Sequence, residues 1–493
     1  MQHPAEPATE ARTLDPEDWD ELRSIGHAML DDMIDHVRTL RERPAWQSPS
    51  EDARRSLRAT LPRTGRPLAE VYDEFKRAIL PYPTGNGHPR FWGWVMGNGT
   101  PVGMLAELLG GAMNCHVSGY DQAATLVERQ VLRWLVELME LPPEANGLLV
   151  SGGTMANLLG VTVARNRALG DDVRERGIVG TQVVLYCSDQ THGWVDRSAD
   201  LLGLGEAAVR KVPTDADHRI RIDALEKRIA EDREAGREPV CLVGNAGTVT
   251  TGATDDLGTL ADLARREDLW FHVDGAFGAM AMLSPRYRHL VAGLERADSL
   301  AFDLHKWGYM QYELGVVLVR DGADLERTFS FAPSYLHSFR GGIAPNPTEF
   351  ASKGIQLSRG FRALKAWMQL STYGSDAIGS VIEQNIDQIA VLRTRIEHSA
   401  DLEQLGPSAM NVLCFRYAPV ALPEEERDAF NVELLVRVQE SGIAVPSNAS
   451  VEGRFALRVA HTNHRTRPED LELLVDTVLR IGGEMLRERS GRT

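Results

Sequence analysis

A chain of 493 residues, 43% hydrophobic and 25% charged, has an ordinary globular composition, which excludes a small stapled module, a fibrous repeat and a disordered chain. At ~100–200 residues per domain the length predicts two to four domains. The 70 acidic and 54 basic residues leave a net charge of −16, a field that repels nucleic acid phosphates and anionic membranes, so neither is an expected partner.

The opening MQHPAEPATEARTLDPEDWD lacks the basic start and apolar core of a targeting segment, and no stretch approaches the ~18–20 apolar residues of a membrane span. Cys115, Cys187, Cys241 and Cys414 lie far apart without a C-x-x-C pair, which argues against a disulfide framework or zinc knuckle and for a reducing, cytoplasmic setting. Residues 15–40 predict one amphipathic helix, with Asp15 as its cap and Pro16 at its first position. Trp19, Leu22, Ile25, Met29, Met33, Val37 and Leu40 recur there at helical spacing, a stripe that needs a partner surface. Pro44 ends it, and a turn-rich stretch with one short helix follows.

Beyond residue 100 the pattern alternates. TPVGMLAELLGGAM and ATLVERQVLRWLVELMEL read as helices, whereas residues 147–152, 183–189, 240–248, 269–276, 299–306 and 314–320 are short apolar runs ended by polar or small residues, as buried strands are. Helical segments separate several of them, so the expected fold is α/β: a mainly parallel sheet flanked by helices. Residues 361–395 read as helix again. The last stretch resembles a smaller α+β unit, with strands FRYAPV and RFALRVA. The expected division is an N-terminal helical segment over 1–99, a large domain over 100–385 and a small C-terminal domain over 386–493.

Ligands of open parallel sheets gather at the carboxyl ends of strands, so the polar residues that follow the apolar runs are the candidates. Gly152, Gly153 and Thr154 open a helix after LLVS, where small residues and a helix N-terminus suit an anion such as phosphate; a plain strand-to-helix turn needs small residues too. Asp274 ends an apolar strand, where its carboxylate requires a cation, a metal or donors. Lys306 leaves another buried strand, where desolvation favours the neutral amine that imine formation needs. His192 lies just past a third strand. No metal is expected, because there is no H-E-x-x-H, and His461 and His464 lack nearby carboxylate or cysteine ligands. A phosphate cradle, a buried carboxylate, a lysine at a strand end and a stacking histidine are together the parts that hold pyridoxal 5′-phosphate.

The order and wording of these motifs resemble the group II pyridoxal-phosphate-dependent amino acid decarboxylases, the relatives of aromatic-L-amino-acid and glutamate decarboxylases. The likeness runs from His88-Pro89-Arg90-Phe91 through Ser151–Asn157, Ser188–His192, Gly247-Thr248, His272-Val273-Asp274 and Ala297-Asp298-Ser299 to His305-Lys306-Trp307. It implies transferase fold type I and a homodimer with active sites at the interface, clasped by the N-terminal helices. It also implies decarboxylation of an L-amino acid, an aromatic one favoured, to the amine and carbon dioxide. Lys306 would carry the cofactor, Asp274 would face its ring nitrogen and Ala276 would lie under the ring. His192 would stack on the other face, Thr248 would sit near Asp274 or the departing carboxylate, and Gly152, Gly153 and Thr154 would hold the phosphate, with His305 preceding the lysine as the family expects. Tyr335, in Ala332–Leu336, matches the tyrosine that returns a proton to Cα, and the following polar stretch suits a lid. Aldehyde-forming relatives often carry phenylalanine there, so oxidative decarboxylation is the alternative outcome, and an acidic or other non-aromatic substrate the alternative specificity. Phe91, Trp92 and Trp94 are candidate aromatic walls, or ordinary packing, whereas His116, Val117 and Ser118 fall where the resemblance puts more apolar bulk in aromatic-specific members, so the residues leave the substrate open. Asp303 departs from the family's Asn-like residue; a carboxylate there repels phosphate unless it pairs elsewhere, so it is not assigned as a ligand.

Overall fold

The computed structural model describes residues 12–170, 172–330 and 341–491, which form two compact units. The first comprises residues 12–43 and 48–83. Its long helix, Trp19–Arg38, begins later than Asp15 and Pro16 predict, because the Asp18 carboxylate accepts the free backbone N–H groups of Asp20 and Glu21 at 2.9 and 3.0 Å. A second helix, Leu68–Ala78, is tied to it by the Tyr72 hydroxyl, which donates to Asp32 at 2.7 Å. No residue of the Trp19–Arg38 helix is fully buried: Leu22, Ile25, Met29, Met33 and Val37 of its apolar stripe are half-buried and Trp19 is exposed.

The second unit, 44–47 and 84–491, is built on two sheets. The larger contains β1 (Asn146–Val150), β2 (Val183–Ser188), β3 (Val209–Val212), β4 (Glu238–Asn245), β5 (Trp270–Asp274), β6 (Ser299–Asp303) and β7 (Gly315–Val319), in the spatial order β1-β7-β6-β5-β4-β2-β3. Strands β6, β5, β4, β2 and β3 pair in parallel, while β7 runs antiparallel to both β6 and β1. The fold is the expected α/β one. β2, β6 and β7 are buried at every position, which is why they read as unbroken apolar runs and not as alternating ones. β3, with the sequence VRKV, has a polar centre and only four residues, and the sequence reading passed over it.

The smaller sheet orders β10 (Ser447–Val451), β11 (Arg454–Ala460), β9 (Val412–Tyr417) and β8 (Leu402–Gln404), all antiparallel. β9 and β11 are the two predicted strands. β10 was missed because SNASV buries alternate small residues, a pattern without an apolar signature. Residues 88–95 run alongside this sheet: Trp92 N–H donates to Val445, Val445 N–H donates to Arg90, and the Trp92 ring packs into the sheet's apolar core.

Candidate active site

The strand register decides which side chains meet. Asn245, Asp274 and Ala301 lie abreast on β4, β5 and β6, and one step further Asp303, Gly315 and Val150 lie abreast on β6, β7 and β1. Strands β4, β5 and β6 therefore deliver the polar residues that end them, Asn245, Asp274 and Asp303, to one edge of the sheet. A Cβ on Gly315 would fall 2.5 Å from the Gly152 Cα, so only glycine lets β7 pass beneath the turn that opens the helix Gly153–Leu169. The cavity at this edge is lined by Gly153, Thr154, His192, Thr248, Asp274, Ala276 and Lys306. Gly152 and His305 do not line it but lie against each other, a Cβ on Gly152 falling 3.2 Å from His305 Cε1, and Tyr335 lies outside the described residues.

Asp274 is 6% exposed, and its carboxylate is held from two sides: the Trp194 indole N–H donates to Oδ2 at 2.6 Å and the Ala276 backbone N–H donates to Oδ1 at 3.1 Å. Ionised carboxylate oxygens offer about four acceptor positions, so capacity remains for a third donor from the cavity, such as a protonated ring nitrogen. Trp194 in turn meets the edge of His272, whose ring is bracketed by Asn157 Oδ1 and Ser299 Oγ, each at 2.7 Å. Complete burial pushes His272 down to about 3, so this ring is a neutral strut behind Asp274.

Lys306 Nζ lies 2.8 Å from Asp303 Oδ2, and the carboxylate is 1% exposed. The aspartate thus pairs with the lysine, the condition under which its position near a phosphate is tolerable. His305 accepts the Leu314 backbone N–H on Nδ1 at 3.1 Å and packs on Tyr312 with ring centroids 4.3 Å apart; desolvation lowers its pKa. His192 accepts the Trp194 backbone N–H on Nδ1 at 3.2 Å, which assigns the neutral ring's proton to Nε2. Its pKa lies below the ordinary 6.5, chiefly through partial desolvation, with Lys306 adding to the shift and Asp274 opposing it. At the β4 end, Asn245 Nδ2 donates to Thr191 Oγ1 at 3.0 Å and Asp255 Oδ2 at 2.9 Å, bracing the segment that carries His192. Gly247, at φ +87°, makes the turn into Thr248 against the Phe277 ring.

The aromatic walls divide differently from the expectation. Phe91 and Trp92 are 2% and 1% exposed and belong to the packing around the smaller sheet, whereas Trp94 and Val95 line the cavity. His116, Val117 and Ser118 do not line it. Sequence reasoning quoted Asn157 within a motif and noted Phe277 beside Asp274 without giving either a role, and it missed Trp194 and Asn245. Asn245 ends β4 as Asp274 ends β5, a signal that was available; Trp194 reads as an ordinary apolar residue of a short helix and carried none.

An amine, a buried carboxylate with a free acceptor position, a helix N-terminus and an exposed imidazole fit pyridoxal 5′-phosphate, with Lys306, Asp274, Gly153 and Thr154 as the groups that would hold it. Comparison with known proteins agrees. The pyridoxal-dependent decarboxylase conserved domain matches residues 50–418. Aromatic-L-amino-acid decarboxylase of Bacillus atrophaeus is 33% identical over 92% of this chain and 93% of its own length. L-2,4-Diaminobutyrate decarboxylase of Rhizobium meliloti is 32% identical over 87% of this chain and 84% of its own. The crystal structure of Oryza sativa TDC with PLP and tryptamine superposes with a TM-score of 0.88 at 26% identity, covering 96% of this chain and all of that one. The chain belongs to the pyridoxal-dependent decarboxylase family and is a carboxy-lyase that acts on an amino acid with pyridoxal 5′-phosphate as cofactor.

Proposed function

We propose that this enzyme decarboxylates an aromatic L-amino acid to the corresponding amine, with Lys306 as the cofactor's anchor. The observation that carries the reading is the convergence of Lys306, Asp274, His192 and Thr248 in one cavity with Trp94 in its wall. Pyridoxal 5′-phosphate, when bound, supplies an electron sink for the pair left on Cα as carbon dioxide departs. Asp274, fixed by Trp194 and Ala276, holds a proton at the ring nitrogen. Gly153 and Thr154, at the helix end, would hold the phosphate, and Ala276 and His192, which line the same cavity, would contact the ring. Thr248, whose Oγ1 is 3.3 Å from Thr251 Oγ1, lines the cavity with Asp274 and would contact either that residue or the carboxylate to be lost. Tyr335 returns the proton to Cα.

The wild-type enzyme, incubated with the common L-amino acids and followed by mass spectrometry, is expected to yield the amines of the aromatic substrates, and Tyr335→Phe to divert product toward the aldehyde. Amine from a non-aromatic substrate alone overturns the specificity, and unchanged amine yield without aldehyde in the variant overturns the role of Tyr335.

The working unit in this reading is a homodimer in a reducing cytoplasm, supported by the four free cysteines and by Leu105, Leu108, Leu109 and Met113, all exposed on the helix Pro101–Met113. Such clusters usually mark an interface. Sedimentation is expected to show twice the chain mass, and Leu108→Asp with Leu109→Asp to shift it toward one; a monomeric wild type with full activity overturns the assembly.

A further inference from the structure

We infer that Asp303 is the acid–base partner of Lys306 in loading the cofactor: it takes the proton that the lysine must lose and returns it to the departing oxygen. The inference rests on Lys306 being the anchoring amine. Three observations lead to it. First, Asp303 Oδ2 lies 2.8 Å from Nζ, so a proton can pass directly between them. Second, the carboxylate is 1% exposed and its Oδ1 has no hydrogen-bond partner, so the group is not consumed by a structural network, as Asp255 is by Asn245 and Ile220. Third, Asp303 packs against the Gly152–Gly153 turn, where a Cβ on Gly153 would come 2.8 Å from Oδ2. That puts it at the N-terminal end of the helix Gly153–Leu169, beside the residues that would hold the cofactor's phosphate and next to the amine that must react.

The other titratable groups that face it leave the exchange to Lys306. The nearer nitrogen of His305, Nε2, is 3.9 Å away on a ring that burial keeps neutral, Tyr312 is pushed up to about 12 by burial, and His192 lies at the cavity with a lowered pKa. The sequence of events balances. The ammonium of Lys306 gives one proton to Asp303, and its freed lone pair forms the C–N bond to the aldehyde carbon. The nitrogen then passes a second proton to the former carbonyl oxygen. The acid form of Asp303 gives that hydroxyl its proton, the C–O bond breaks, and water leaves. The product is a protonated imine beside the regenerated carboxylate, so the ion pair between the two side chains is preserved.

The test mixes cofactor-free protein with pyridoxal 5′-phosphate and follows the visible imine band in time. Asp303→Asn is expected to slow its appearance on the order of 10²-fold, the usual scale of general acid–base assistance, while reaching the wild-type final amplitude. Asp303→Ala is expected to be equally slow and to be accelerated by added formate, which a purely structural role would not produce. An Asp303→Asn rate within twofold of wild type overturns the inference. So does a folded Asp303→Asn that never develops the band, because Asp303 would then hold the cofactor and not move its proton. Lys306→Ala separates the two levels: if it keeps the wild-type band, the anchoring reading falls and this inference with it; if it loses the band while Asp303→Asn loads normally, the inference falls alone.

Discussion

Lys306→Ala is expected to be colourless in the visible after incubation with pyridoxal 5′-phosphate and to lose carbon dioxide release by on the order of 10⁴-fold, the scale on which covalent catalysis fails when its nucleophile is removed. The reason is positional. The lysine leaves β6, is only 24% exposed, and carries the amine that the cavity presents to a carbonyl. Its removal also leaves the Asp303 carboxylate buried without its cation, so the melting temperature is expected to fall as well. Lys306→Arg separates the two effects, because guanidinium can keep the pair but cannot form the imine. It is expected to recover thermal stability and none of the absorbance. Measured by absorbance, carbon dioxide release and thermal melting together, a visible band in either variant would remove Lys306 from its role.

Asp274→Asn is expected to lose about 3–4 kcal/mol of transition-state stabilisation, roughly 10²–10³-fold in kcat/KM, because the group at which charge develops loses its fixed counter-charge. The amide oxygen still accepts the Trp194 indole N–H, although the Ala276 backbone N–H loses its acceptor, and cofactor binding is expected to survive. The loss is therefore one of charge more than of shape. Carbon dioxide release measured against substrate concentration decides it, and a loss below tenfold removes the electron-sink support from Asp274. Trp194 bears on the same quantity, since its hydrogen bond orients the carboxylate toward the cavity.

Much of this site was legible because buried parallel strands end abruptly. Four such apolar runs finish in Ser188, Asn245, Asp274 and Asp303, and polar residues at those ends have no reason to be there unless something binds them. Asp274 and Lys306 were found in this way. Trp194 was not, because a tryptophan on a short helix is equally at home in a core, and only the fold turns its N–H toward an aspartate 80 positions away. The error over Phe91 and Trp92 has the same origin: three neighbouring aromatics look alike in sequence, while the backbone of residues 88–95 follows the smaller sheet and turns Trp94 alone to the cavity. Trp94 and Val95 take φ values of +52° and +59°, a conformation that nothing in their side chains advertises.

By itself the sequence determined the layer architecture and the kind of chemistry, since both follow from local facts: the length and polarity of apolar runs, and the residue type that ends each one. The tertiary structure alone decided the pairings. That Asp303 meets Lys306, that Asp274 is held by Trp194 and Ala276, and that β7 runs antiparallel so Gly315 can pass under Gly152 all depend on strand order and register. Those are set by how the whole core packs and not by any segment read alone.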